Sequence, residues 1–238
     1  MAPILLNPYG FGAPSGPTYA SAVLADSPLL WVRMGEAVSI PATDSSGNGR
    51  TLIASGTYTQ AVTGLLPSDS DTAFSFNGGK ILTASAAWMN TTGVTAECLA
   101  KPTGTGNQWL VGRDNTGATS ELSWRLDIDS GKFRAVCILT ATGTTYRITS
   151  STTSVVAGTT YHVALTYDGS DLRLYVNGVE NATPVSVAGT LKQTGQHINI
   201  GRSGGNILNF VGTLDEVAVY GSALSSARIL AHAAAAGF

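Results

Sequence analysis

Acid–base chemistry needs carboxylates or imidazoles held close together, and this sequence offers few such groupings. The five glutamates, Glu36, Glu97, Glu121, Glu180 and Glu216, stand singly along the 238 residues. Asp127 and Asp129, in LDIDSG, alternate at the end of an expected strand, where a period of two sets them on one face about 7 Å apart, a spacing open to glycoside-cleaving pairs. No glutamate accompanies them, and acids ahead of a Ser-Gly turn serve the turn by accepting backbone N–H groups. No catalytic residue is therefore assigned. His162, His197 and His232 lie far apart and lack metal-ligand spacing, so structural roles are expected. Sugar stacking needs an aromatic face with polar groups nearby. Trp124 alternates with Leu122 and Leu126 and is assigned to the core with them, and Tyr146 is a further aromatic candidate. Trp88 (AAWMN) and Trp109 (GNQWL) stand near loops and are the carbohydrate-binding candidates. Asn90-Thr91-Thr92 and Asn181-Ala182-Thr183 match glycosylation acceptors and are read as turn composition.

The composition narrows the classes. Charged residues make up 12% of the chain, against roughly 25% in an ordinary globular protein, and the formal net charge is −2. That is the wrong balance for a phosphate backbone, so nucleic acid is excluded as a partner. The 43% of hydrophobic residues supports a sizeable core, yet no stretch approaches the roughly 18 apolar residues of a membrane span, and no membrane insertion is expected. The opening, MAPILLNPYGFGAPSGP, has neither a cationic start nor an unbroken apolar run, so no secretory signal is read there. Cys98 and Cys137 sit in apolar strand-like runs and are expected as buried free thiols rather than a disulfide.

These side chains must be positioned by strands. From residue 28 onward, short period-two runs separated by turn signals mark an all-β sandwich. In YHVALTY, Tyr161, Val163, Leu165 and Tyr167 alternate with His162, Ala164 and Thr166. Asp168-Gly169 then turns the chain into LRLYV, and Asn177-Gly178 supplies the positive φ values of the next tight turn, giving a three-stranded meander. Leu122 to Ile128 and Phe133 to Leu139, joined at Ser130-Gly131, form another hairpin. A C-terminal helix is expected over SSARILAHAAAA, capped by Ser225 or Ser222, closed by Gly237 and lying across the sandwich edge. Residues 1–17 show no periodicity and carry Ile4, Leu5, Leu6, Tyr9 and Phe11, too apolar for a solvated tail. They read as an N-terminal arm whose side chains bind a partner or the chain's own body, ahead of one domain spanning 18–238.

Several segments, in this order, resemble the laminin G-like branch of the concanavalin A-like lectin/glucanase superfamily. They are Leu30 to Glu36 (LWVRMGE), Asp44 to Gly49 (DSSGNG), Phe74 to Gly78 (FSFNG) and Thr95 to Lys101 (TAECLAK). The most specific are YHVALTYDG with LYVNG, INIGR at 198–202, and FVGTLDEVAVYGSALS at 210–225. The resemblance implies an antiparallel jelly-roll β-sandwich with a short C-terminal helix. Leu99 departs from it, standing where the family usually has tryptophan, and the glucanase pattern E-x-D-x-x-E is absent. The family's calcium ion, where present, implies Asp44 and Asp215 as structural ligands with Asn48 adding an amide oxygen. The alternative is that Asp44 makes an Asx turn and Asp215 and Glu216 bond backbone.

Modules similar to this occur in bacteriophage minor tail and capsid-decorating proteins. The resemblance thus implies a non-enzymatic structural protein displayed in several copies on a larger assembly such as a viral capsid or tail, held by the arm, at a virion surface and made in the host cytoplasm. Host cell-surface glycan is a further expected partner. The alternative is a freestanding carbohydrate-binding lectin. A divergent glycoside hydrolase would require a carboxylate pair that the sequence does not offer.

Overall fold

The computed structural model describes residues 16–39, 41–84, 87–114, 121–140, 146–193 and 197–238. The chain runs through α1 (Tyr19–Ala25), β1 (Leu30–Val32), β2 (Leu52–Ser55), β3 (Tyr58–Thr63), β4 (Thr72–Asn77) and β5 (Lys80–Thr83). It continues with β6 (Val94–Pro102), β7 (Gln108–Asp114), β8 (Trp124–Asp129), β9 (Lys132–Ile138) and β10 (Tyr146–Ser154). The remainder holds β11 (Tyr161–Tyr167), β12 (Asp171–Val176), β13 (Val179–Glu180), β14 (Val185–Ser186), β15 (His197–Ile200), β16 (Val211–Tyr220) and α2 (Ser226–Ala235).

Two antiparallel sheets face each other, as a jelly-roll sandwich requires. One has nine strands, ordered β13-β12-β11-β6-β16-β4-β3 with β1 added to β16 and β14 to β12. The other has seven, ordered β10-β9-β8-β7-β15-β5-β2. Alternation decides which side chains meet between them. Val163, Leu165, Leu172, Leu174, Phe74 and Val217 come from the larger sheet, and Val111, Trp124, Leu126, Phe133, Ile198 and Ile200 from the smaller. Each such burial contributes about 1.5–3 kcal/mol. Cys98 and Cys137 lie in this core as free thiols.

The turns follow their residue types. Ser130-Gly131 joins β8 to β9 with φ values of 52° and 74°, and Asn177-Gly178 joins β12 to β13 with 52° and 79°, the left-handed pair that a two-residue hairpin needs. Asp168 Oδ1 accepts the N–H groups of Ser170 and Asp171 at 2.8 and 2.7 Å, closing the β11–β12 turn.

The outer face of the nine-stranded sheet departs from expectation. Every residue of β11 is buried, including His162, Ala164 and Thr166. Two helices lie on this face, and α2 covers Ala164 of β11. Ser225, not Ser222, caps α2, its hydroxyl accepting the Arg228 N–H at 3.3 Å. Ile229 of α2 sits against Ala164 and Tyr175, so the helix lies over the sheet face rather than along the sandwich edge. Helix α1, absent from the sequence reading, is capped by Thr18, buries Ala22 and turns Tyr19 and Val23 inward against Trp31, Leu99 and Tyr220. Leu99 thus fills its place in an apolar layer outside the sandwich core. Among the described residues no helix is long and apolar enough to cross a membrane.

A candidate carboxylate site on the outer face

Strand β16 carries the site through a β-bulge. Asp215 pairs with Leu99 and Ala218 with Glu97, so three steps along β16 oppose two along β6, and Glu216 takes a φ of 52°. A bulge of this kind re-aims side chains and stops strict alternation. Asp215 shares a face with its partner Leu99, the outer one, and Glu216 reaches the same face, where its Oε2 accepts the Trp31 indole N–H at 2.7 Å. Two consecutive acids therefore stand on one side of a buried strand.

Arg33 gathers the rest. Its Nε donates to Glu216 Oε1 at 3.1 Å, and its Nη2 lies 2.7 Å from Asp69 Oδ2 and 3.0 Å from Asp71 Oδ2. Oxygens of Asp69, Asp71 and Glu216 all fall within 4.8 Å of one another. Asp215 Oδ2 accepts the Leu65 N–H at 2.8 Å, while its Oδ1 is buried without a hydrogen-bond partner. Gly35 and Gly64 allow this crowding, because a Cβ at either would strike Asp71. Three carboxylates thus share one guanidinium, with Asp215 beside them. Burial pushes the Asp215 carboxyl up to about 8, with Glu216 and Asp71 adding and the Leu65 N–H opposing. Burial likewise raises Glu216 to about 7 against the pull of Arg33 and Trp31. Hollows flank the 61–72 segment: one of about 460 Å³ includes Asp69 and Asp71, and one of about 820 Å³ lies between Leu66, Asp69, Tyr19 and the Ala231–Ala235 face of α2.

The residues expected to hold calcium are not brought together. Asp44 spends both oxygens on backbone, accepting from Trp31 and Ser46 N–H through Oδ1 and from Arg50 N–H through Oδ2, at 2.9–3.2 Å. Asn48 turns its amide nitrogen to the Pro28 carbonyl and the Ser46 hydroxyl. Of the set, only Asp215 belongs to the acidic region, and there the centre is filled by Arg33. Asp44, Asn48 and Asp215 therefore do not fit one cation, which needs six or more oxygens converging at about 2.4 Å.

The aromatic candidates fare differently from expectation as well. Trp109 is 1% exposed and its indole N–H donates to the Asn199 carbonyl at 2.9 Å, leaving no face for a sugar. Trp88 is half-buried in a short 3-10 turn at 87–89, with the Arg50 guanidinium 4.3 Å above its ring. Asp127 is tied to Arg125 and Arg134, and Asp129 to Arg134. His197 meets the Thr83 carbonyl at 2.6 Å. His162 and His232, 70 positions apart in sequence, converge on Glu97 beneath the helices. The arm residues Ile4, Leu5, Leu6, Tyr9 and Phe11 lie outside the described residues. Sequence reading missed Arg33, Asp69, Asp71 and Glu216 as a group. One signal was available, since Asp69 and Asp71 flank Ser70 with the same spacing as Asp127 and Asp129.

The laminin G type 3 family model, described as the concanavalin A-like lectin/glucanases superfamily, matches residues 74–230. No curated protein matches the chain. Among solved structures it is similar to the receptor-binding domain of botulinum neurotoxin mosaic serotype C/D, with a TM-score of 0.66 and 14% identity over 89% of this chain and 51% of that one. The serotype D ligand-binding domain in complex with N-acetylneuraminic acid gives 0.63 and 16% over 90% and 52%. The serotype DC binding domain in complex with rat synaptotagmin II gives 0.64 and 11% over 90% and 53%. The chain spans about half the length of these structures, and the likeness is one of fold.

Proposed function

Since the chain belongs to the concanavalin A-like lectin/glucanases superfamily, we propose that it is a non-enzymatic display module. Its lectin-like jelly roll is carried in several copies on a larger assembly, most simply the capsid or tail surface of a bacteriophage, by the segment ahead of α1. The observation that carries this reading is the apolar sequence Ile4, Leu5, Leu6, Tyr9 and Phe11 leading directly into a helix fixed on the body. Each apolar side chain buried in a neighbour contributes on the order of 1–3 kcal/mol before ordering costs. Engagement of Asp127 and Asp129 by arginines supports binding rather than hydrolysis.

The test is co-sedimentation of the full chain, and of a form beginning at Thr18, with particles stripped of the protein. Pelleting of the full chain alone is expected. Equal pelleting of both forms would move the interface to the sandwich, and pelleting of neither would remove the display reading.

A second reading, a carbohydrate-binding lectin, draws on the solved neighbour bound to N-acetylneuraminic acid. That ligand belongs to a binding domain of which this chain matches about half. Glycan arrays with and without a calcium chelator test it, and silence under both conditions removes it.

A further inference from the structure

Beneath the two helices lies a buried chain of ionisable groups that the carboxylate site does not use. Glu97 of β6, fully buried, receives three donors. The Tyr220 hydroxyl donates to its Oε1 at 2.7 Å, His232 Nδ1 lies 2.9 Å from the same oxygen, and His162 Nε2 lies 3.1 Å from Oε2. The far side of the His232 ring faces α1. Its Nε2 is 2.9 Å from Asp26 Oδ2 and 3.1 Å from the Ala22 carbonyl. Arg228, one turn before His232 on α2, closes the series with Nε bonds of 3.0 and 2.8 Å to the two Asp26 oxygens and an Nη2 bond of 3.1 Å to the Ala22 carbonyl.

Both ring nitrogens of His232 thus face acceptors that have no proton to give. A neutral imidazole carries one N–H, so one nitrogen would present a lone pair to a carboxylate or carbonyl, whereas an imidazolium donates from both. The second histidine differs. His162 has Nε2 on Glu97 and a buried Nδ1 with no partner, which suits a ring with a single N–H. The charges then alternate along the series, from Glu97 through His232 and Asp26 to Arg228, and sum to zero.

We propose that His232 is a charge-dependent latch: as an imidazolium it ties α1 to α2 and both to the sheet, and loss of its proton loosens α1. The groups around the ring are Arg228 on its own helix, Asp26 and Tyr19 from α1, Glu97 from β6, and Tyr220 from β16. His162 of β11 reaches the ring only through Glu97. Burial works against the imidazolium, and Glu97 and Asp26 together raise its pKa above the ordinary histidine value despite that and despite Arg228. Glu97 is held far below the usual carboxylate range by the two imidazoles, against burial.

The direction follows. A histidine with a raised folded pKa contributes fully below its ordinary value near 6.5 and loses that contribution as pH rises through the folded value. A depressed glutamate contributes above about 4.5 and loses it only in stronger acid. The latch holds below about pH 6.5 and opens as pH rises through the raised folded value.

Two measurements on the full chain test this. NMR titration of the His232 ring is expected to give a folded pKa above 6.5, and a value at or below it overturns the latch. Hydrogen exchange, corrected for intrinsic rates, is expected to show protection of the α1 amides falling by up to about tenfold per pH unit between about 6.5 and that pKa and levelling off above it, while β8 and β9 stay constant. Equal loss in α1 and those strands, or no loss, overturns the proposal. His232→Gln is expected to remove the pH dependence. Should it fail to fold, Asp26→Asn serves: it keeps the Ala22 bond and is expected to lower the His232 pKa, and an unchanged value counts against the latch.

Discussion

At the scale of single residues, the crowded carboxylates make a sharp stability prediction. Burial pushes Asp215 up to about 8 and Glu216 to about 7, so between about pH 4 and 8 these two groups hold more protons in the folded chain than in the unfolded one. Their effect is most favourable in acid and is lost as pH rises through those values. Asp215→Asn removes one charge from the group. It is expected to raise Tm at pH 8 and leave it nearly unchanged at pH 4.5, read by calorimetry, and a lower Tm at both would refute the account of crowding. Trp109→Ala, by contrast, is expected to cost about 3–5 kcal/mol in urea unfolding while leaving any glycan signal intact. The sequence placed Trp109 beside a loop correctly, but its burial under outer-face side chains such as Leu122, Val136 and Tyr146 depends on contacts far along the chain. The same holds for Arg33, whose partners lie 36 and 183 positions away.

At the scale of elements, the hairpins were legible because turn chemistry and alternation are local. Asn177-Gly178 and Ser130-Gly131 stand at the turns with the φ signs their types imply. The helical layer was not, because β11 reads as half solvent-facing when only its own alternation is considered. Burial of Ala164 is decided by Ile229 of α2, and His162 has Phe238 beyond that helix as a neighbour, both from the far end of the sequence. Seven residues of α1 are too few to show helical periodicity, and their position depends on Trp31 and Tyr220. Gly178 joins the two levels: its φ is 79°, and a Cβ there would meet Ala233 and Leu230 of α2. Gly178→Ala is expected to destabilise by about 1–3 kcal/mol, more than an alanine at Gly131, where a Cβ meets open space. Urea midpoints of the two variants check the ordering.

At the scale of the whole molecule, the sandwich presents two unlike outer faces. The larger sheet is roofed by two helices and holds the Glu97 series and the Arg33 group, while Arg125, Asp127, Arg134 and Asp129 form an ionic group on the smaller. The smaller has its own outer apolar group around Trp109 and Leu122. Ser225→Ala, which removes the α2 cap, is expected to cost about 1 kcal/mol and to increase exchange first in the roof, with the seven-stranded sheet unaffected in hydrogen-exchange mass spectrometry. Simultaneous loss in both sheets would mean that roof and sandwich unfold as one unit.

The two thiols give the molecule an internal pair of witnesses. Cys98 belongs to the nine-stranded sheet and Cys137 to the seven-stranded one, both pointing into the space between. Burial pushes both thiols up, Cys137 to about 12, so neither offers thiolate to a reagent while the sheets stay closed. Alkylation at either sulfur therefore times the parting of the two layers, and it stays silent when only the helical roof lifts.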